Sequence, residues 1–229
     1  MTNHVSKSDE SLTIEQVDRN QFYQLTDALE LVYGRRLRPE LMETPSGDIA
    51  KCLWQRKQHQ HLSPAERFVM NADALAGLAI SAPKVSRLLH CPDLTVHLLY
   101  YKKLPGVDLR SQSQAGDQPN MNTLAKFLSE LHQKGVYFRA IHLGNILETQ
   151  DGPLPNYALI DISDLTIRHQ PLSAFLRARN LTHLFTVSED RDSLTSERKK
   201  QLLQTYFQDS GLSNFAENFI RFWIKVHGG

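Results

Sequence analysis

The chain has 229 residues, 41% hydrophobic and 22% charged, with a formal net charge of +1. That length can bury a real core and supports one two-lobed domain or two small ones. The near-neutral balance excludes a global field for nucleic acid or an anionic membrane, leaving only local patches.

Two cysteines, Cys52 and Cys91, form neither a zinc spacing nor a disulfide framework, which fits a reducing, cytoplasmic setting. The opening "MTNHVSKSDESLT" is polar and has no apolar h-region, so residues 1–14 are expected to be a flexible tail without a signal peptide. No run approaches the ~18 apolar residues of a membrane span. Residues 16–31 are weakly helical in pattern. The turn signal "PSGD" then separates "ELMET" from "IAKCLWQ", a predicted hairpin. Lys51 falls in its second strand, with Ala50 and Cys52 on the opposite face, because side chains alternate.

Ser63, Pro64 and Glu66 fit a helix start, with Glu66 at the capping-box place. Phe68, Ala72, Leu75 and Ala79 recur on one face. The helix should end near "ISAP", since the residue before Pro83 is pushed out of the α region. "KVSRLL" and "LTVHLLYYKKL" read as two strands around "HCPD". These elements make a small strand-rich lobe with one helix, residues 15–105. "LPGVDL" and the polar "SQSQAGDQPN" suit a flexible linker over 106–120.

Residues 121–229 read as a mostly helical lobe. Leu124, Phe127, Leu128 and Leu131 form a helical stripe that Gly135 stops. "NIL" and "YALIDI" are short strand candidates around the turn "TQDGPLP". Three helices are predicted over 172–184, 196–208 and 214–226. The stripe Phe215, Phe219, Phe222 and Trp223 on the last is read as core. The order predicts an α+β protein of two lobes with a cleft between them.

Kinase-type phosphoryl transfer uses a strand lysine on the phosphates and a helix carboxylate holding that lysine. A loop H-x-D-x-x-x-x-N and a second Asp after a short strand complete the set. Lys51, Asn145 and Asp161 stand in that order, with Asp161 sixteen residues after Asn145. An amide oxygen and a carboxylate are donors that Mg²⁺ accepts, with phosphate oxygens and water completing its octahedron. Glu66 is the candidate partner of Lys51, with Asp73 a second, although its spacing from Ser63 equally makes Glu66 a capping residue.

The stretch "AIHLGNIL" looks like the "DLHPGNIL" loop of small bacterial kinase-like phosphotransferases, with His142, Gly144 and Asn145 in place. "GVYFRAIHLGNIL", "ALIDISDLTIR" and "RARNLTHLF" resemble bacterial toluene tolerance proteins, grouped with lipopolysaccharide kinases of the InaA/Kdo type. The likeness is loose from Leu31 onward and specific over residues 135–185. It implies a protein-kinase-like fold that binds ATP and Mg²⁺, with Lys51 on the phosphates and Asn145 and Asp161 on the metal. It also implies an inner-core sugar of lipopolysaccharide, or a related envelope glycan, as substrate. The place of action would be cytoplasmic, at the inner-membrane surface.

The departures point elsewhere. Ala140 occupies the catalytic Asp position, Phe138 replaces the loop's His, and "DIS" stands for D-F-G. Gly34 is alone where a glycine-rich loop is expected, leaving phosphate cover to backbone and to Arg35 or Arg36. His142 and Asp164 are substitute bases that sequence alone cannot place. Arg177 and Arg179 suit either an anionic substrate or a solvated helix face. Two further readings follow: a pseudokinase that regulates envelope assembly, and a helical interaction protein whose kinase likeness is accidental.

Overall fold

The computed structural model describes residues 12–55, 62–149 and 156–228. Most of the predicted tail and the turn after Thr149 lie outside them. The chain divides into two compact units, 1–65 with 84–103, and 66–83 with 104–229. It is an α+β protein: strands dominate the first unit and helices the second.

In the first unit, β1 (Ile14–Gln16) is followed by α1 (Arg19–Asp27), β2 (Glu30–Arg35), β3 (Arg38–Glu43) and β4 (Ile49–Trp54). β5 (Val85–Cys91) and β6 (Val96–Tyr101) complete a six-stranded sheet in the order β1-β5-β6-β4-β3-β2, antiparallel except for β1 on β5. The segment expected to be one weak helix over 16–31 is thus a short helix between two strands. A capping box fixes its start: Asp18 accepts from Gln21 N at 2.8 Å, and Gln21 accepts from Asp18 N at 2.9 Å.

α1 buries Phe22 against one sheet face, in a cluster with Met42, Ala50, Cys52, Leu89 and Leu98. Trp54 meets Phe22 edge-on at 5.9 Å and donates its indole N–H to Pro39 O at 2.7 Å. The predicted β3–β4 hairpin is present, with Met42 opposite Ala50 and Leu41 opposite Lys51. Burial pushes the Cys52 thiol up to about 12, so it behaves as a small apolar side chain. Gly34 lies where β2 and β3 slip register, at φ 105°. A Cβ there would stand 2.7 Å from Glu40 N, so the position requires glycine for its own hairpin.

The second unit takes in most of α2 (Pro64–Gly77), which buries Phe68, Ala72 and Leu75 as expected. The helix ends sooner than predicted. Ala79 has a left-handed φ of 54° and is exposed, and Ile80 is buried in its stead. The stretch read as a linker holds β7 (Val107–Asp108) and α3 (Leu109–Gln114), with Leu109 fully buried. Its last residue, Asn120, caps α4 (Met121–Gln133) by accepting from Asn122 N and Thr123 N.

β8 (Val136–Phe138), β9 (Ile146–Thr149), β10 (Asn156–Leu159) and β11 (Leu165–Ile167) make two small sheets, β10-β9-β7 and β11-β8. α5 (Ala174–Thr186), α6 (Ser196–Asp209) and α7 (Asn214–His227) follow close to their predicted bounds. Gly135 has φ 78°, and a Cβ there would collide with the carbonyl oxygens of Arg168 and Gln170. The last helix corrects one expectation. Only half of its stripe packs: Phe215 is 84% and Phe222 65% exposed, Phe219 and Trp223 are half-buried, and Ile220 is the fully buried residue.

Candidate functional site

Two loops of the second unit carry most of the candidate residues. One runs from Arg139 to Asn145, between β8 and β9. The other runs from Ile160 to Asp164, between β10 and β11. Strand pairing sets them side by side, because β9 pairs with β10 and β8 with β11. Ile160 N donates to Asn145 O at 3.0 Å, and Arg139 N donates to Asp164 O at 3.2 Å. Asn145 and Asp161 therefore stand at the same end of one antiparallel pair.

Asn145 is buried, and its side-chain N–H donates to Ala140 O at 2.9 Å. That bond fixes the amide: nitrogen toward the loop backbone, leaving Oδ1 as the atom for an outside partner. Asp161 is exposed and left-handed, with φ 55° and ψ 43°. Such a conformation costs a non-glycine residue roughly 1–2 kcal/mol, and strain of this kind collects at ligand sites.

α2 braces the Asp161 loop. Asn71 Nδ2 donates to Ile162 O at 2.7 Å and to Leu165 O at 3.1 Å, and Arg67 Nε donates to Ser163 O at 3.2 Å. The α2 residue that reaches this loop through two hydrogen bonds is therefore an amide, Asn71, which no motif in the sequence marks. Glu66 sits in the helix's first turn, half-buried, where its charge suits the helix dipole, and Asp73 is exposed. Lys51 belongs to the first unit, half-buried on β4, on the face opposite Ala50 and Cys52.

The Arg139–Asn145 loop is held from two other sides. Asp190, fully buried, accepts from Leu143 N at 2.8 Å and from Arg110 Nε at 2.6 Å. Arg110 Nη2 lies 3.3 Å from His142 Nδ1. A guanidinium only donates, so Nδ1 accepts and the imidazole is neutral with its proton on Nε2. Burial first, and the Arg110 charge second, hold His142 below the usual histidine range. Asp164 pairs with Arg139 Nη2 at 3.0 Å, both half in solvent. Each residue considered as a substitute base thus has another partner.

From beneath, Asn180 Nδ2 donates to Phe138 O at 2.6 Å, which turns Asn180 Oδ1 toward His132 Nε2 at 2.9 Å. His132 Nδ1 meets the Tyr206 hydroxyl at 2.7 Å, and Arg177 Nη1 donates to that hydroxyl at 3.3 Å. One direction satisfies every member: Arg177 to Tyr206, Tyr206 to His132, His132 to Asn180, Asn180 to Phe138 O. Burial drives the His132 pKa down to about 4. Arg177 is 3% exposed and also donates to Leu172 O at 2.8 Å, so it is neither a solvated cation nor a substrate contact. Arg179 is exposed on the same helix.

Among the described residues no three His, Cys, Asp or Glu side chains gather as a metal cage. The pair Asn145 and Asp161 instead suits an ion that arrives with phosphate and keeps water, as Mg²⁺ does.

No family model matches the sequence, and no curated protein does. Solved structures similar in fold include two of one protein. One is a structure of the bifunctional kinase-methyltransferase WbdD, 14% identical with a TM-score of 0.47, covering 81% of this chain and 42% of that one. The other is a 2.2 Å crystal structure of WbdD, 14% identical with a TM-score of 0.48, covering 81% and 43%. The chain spans less than half the length of either. No helix among the described residues is long and apolar enough to cross a membrane.

Proposed function

We propose that this chain is a kinase-like protein that binds Mg-ATP, with Asn145 Oδ1 and the Asp161 carboxylate on the metal and Lys51 on the phosphates. The observation that carries the reading is the fixed amide of Asn145 beside a strained Asp161, on loops joined by Ile160 N to Asn145 O at 3.0 Å. When bound, Mg²⁺ would neutralise charge developing on the transferred phosphoryl group. The protein's part is positioning: Asp190, Asn71 and Asn180 hold the two loops so that the donors need little reordering.

Resemblance to lipopolysaccharide kinases makes the acceptor a hydroxyl of a lipopolysaccharide core sugar or related envelope glycan. Transfer there would proceed without a carboxylate base. The transition state is loose, and a base adds only about 10²–10⁴-fold where one operates.

Ala140 favours a second reading, a pseudokinase that binds nucleotide and regulates envelope assembly through protein contacts. It gains from His142, whose Nδ1 already accepts from Arg110. Melting the protein with and without Mg-ATP, then assaying phosphate transfer to lipopolysaccharide core acceptors, separates the two. Binding with transfer supports the enzyme, binding without transfer supports the pseudokinase, and no binding removes both.

A further inference from the structure

On the 100° step of an α-helix, the apolar residues of α7 span an arc of roughly 200°. The protein body covers only one side of that arc, where Ile220 is buried and Trp223 packs edge-on against Phe175 of α5 at 5.1 Å. Among the described residues the other side is bare: Phe215 is 84%, Phe222 65% and Val226 56% exposed. We infer that this face docks on an anionic lipid surface.

Charge selects that occupant. α5 contains no acidic residue, and α7 contains Glu217 alone, which Arg221 pairs at 2.7 Å. Arg179, over the Phe175 ring at 5.7 Å, and Lys225, beside Phe222 on the helical wheel, are exposed cations flanking the apolar face. Aromatics level with cations on a helix lying flat is the pattern of interfacial binding. At these exposures Phe215, Phe222 and Val226 leave on the order of 400 Å² bare, the range of a functional patch on a monomer. The inference goes beyond the nucleotide site and does not depend on it. If both hold, this face would keep the nucleotide site where envelope glycans are built.

The test is co-sedimentation of the full chain, without nucleotide, with phosphatidylcholine vesicles that contain or lack phosphatidylglycerol. The protein should sediment with the anionic vesicles and be released by salt. The double variant Phe215→Ser/Phe222→Ser should bind at least about tenfold more weakly at an unchanged melting temperature, since both side chains are exposed. Arg179→Glu/Lys225→Glu should lose the preference for phosphatidylglycerol while keeping the fold. Failure to sediment with anionic vesicles overturns the inference, as does undiminished binding in the serine variant. A dimer that the serine variant abolishes, with no lipid binding, would assign the face to a second copy instead.

Discussion

Asn145 and Asp161, sixteen residues apart in the sequence, meet at one end of the β9–β10 pair, where Asn145 O accepts from Ile160 N at 3.0 Å. Both candidate residues sit on loops braced from outside, by Asp190 at Leu143 N and by α2 at Ile162 O. The Asn145 amide is turned by Ala140 O at 2.9 Å, and the Asp161 loop is gripped from α2 by Asn71 at 2.7 Å. A site built this way should be sensitive to residues that never touch a ligand.

Asn71→Ala is expected to show that. It removes two bonds to the Ile162 and Leu165 carbonyls and leaves the side chains of Asn145 and Asp161 intact. Stability should fall by about 1–2 kcal/mol, while Mg-ATP binds at least about fivefold more weakly, in the manner of supporting-shell changes. Calorimetric titration beside a urea melt reads both. A stability loss with unchanged affinity would make Asn71 structural only.

Restoring the missing acid asks whether chemistry was lost. Ala140→Asp puts a carboxylate at the loop position whose backbone carbonyl already holds Asn145. If the chain is a weak phosphotransferase, ATP turnover with a core-sugar acceptor should rise roughly 10²-fold or more. A variant that binds Mg-ATP normally and gains nothing would favour the pseudokinase.

The buried chain under the first loop gives a stability prediction. Asn180→Ala removes the donor to Phe138 O and the acceptor for His132, both inside the core. Such a change costs about 2–4 kcal/mol by leaving buried polar groups without partners, read as a lower urea midpoint at unchanged m. A loss under 1 kcal/mol, well short of that estimate, would mean the chain is not cooperative.

His132 sets a pH dependence with a definite sign. Its folded pKa, about 4, lies below the ordinary 6.5. The stability it supports is complete above pH 6.5 and is lost as pH falls toward 4, where the loss levels off. The slope in that window is at most about 1.4 kcal/mol per pH unit. Urea melts across the window should show the slope in the wild type and a shallower one in His132→Gln. Equal slopes would place the acid sensitivity elsewhere.

Much of this was legible in the sequence because it is local. The β3–β4 turn, the α4 stripe and the bounds of α5 to α7 follow from periodicity, caps and turn residues. α1 was blurred because its signal is a capping box, Asp18 with Gln21, rather than an apolar stripe. The polar stretch before Asn120 looked like a linker since α3 buries little beyond Leu109. The apolar spacing of α7 is the same whether solvent or core lies opposite, so the pattern could not tell that Phe215 and Phe222 are exposed. The order Asn145 then Asp161 was readable from the motif. Asp190, Asn71 and Asn180 were not, because each reaches its loop across 42 to 91 positions or more of chain and carries no local mark.

The most direct measurement is the melting temperature with saturating Mg-ATP in the wild type and in Asp161→Asn. A ligand at about a hundred times its dissociation constant adds ~2.7 kcal/mol, a rise of roughly 5–10 °C for a chain of this size. The account predicts that rise in the wild type, its loss when Mg²⁺ is withheld, and its loss in Asp161→Asn with the ligand-free melting temperature preserved. An equal rise in both proteins, or none in the wild type, would contradict it.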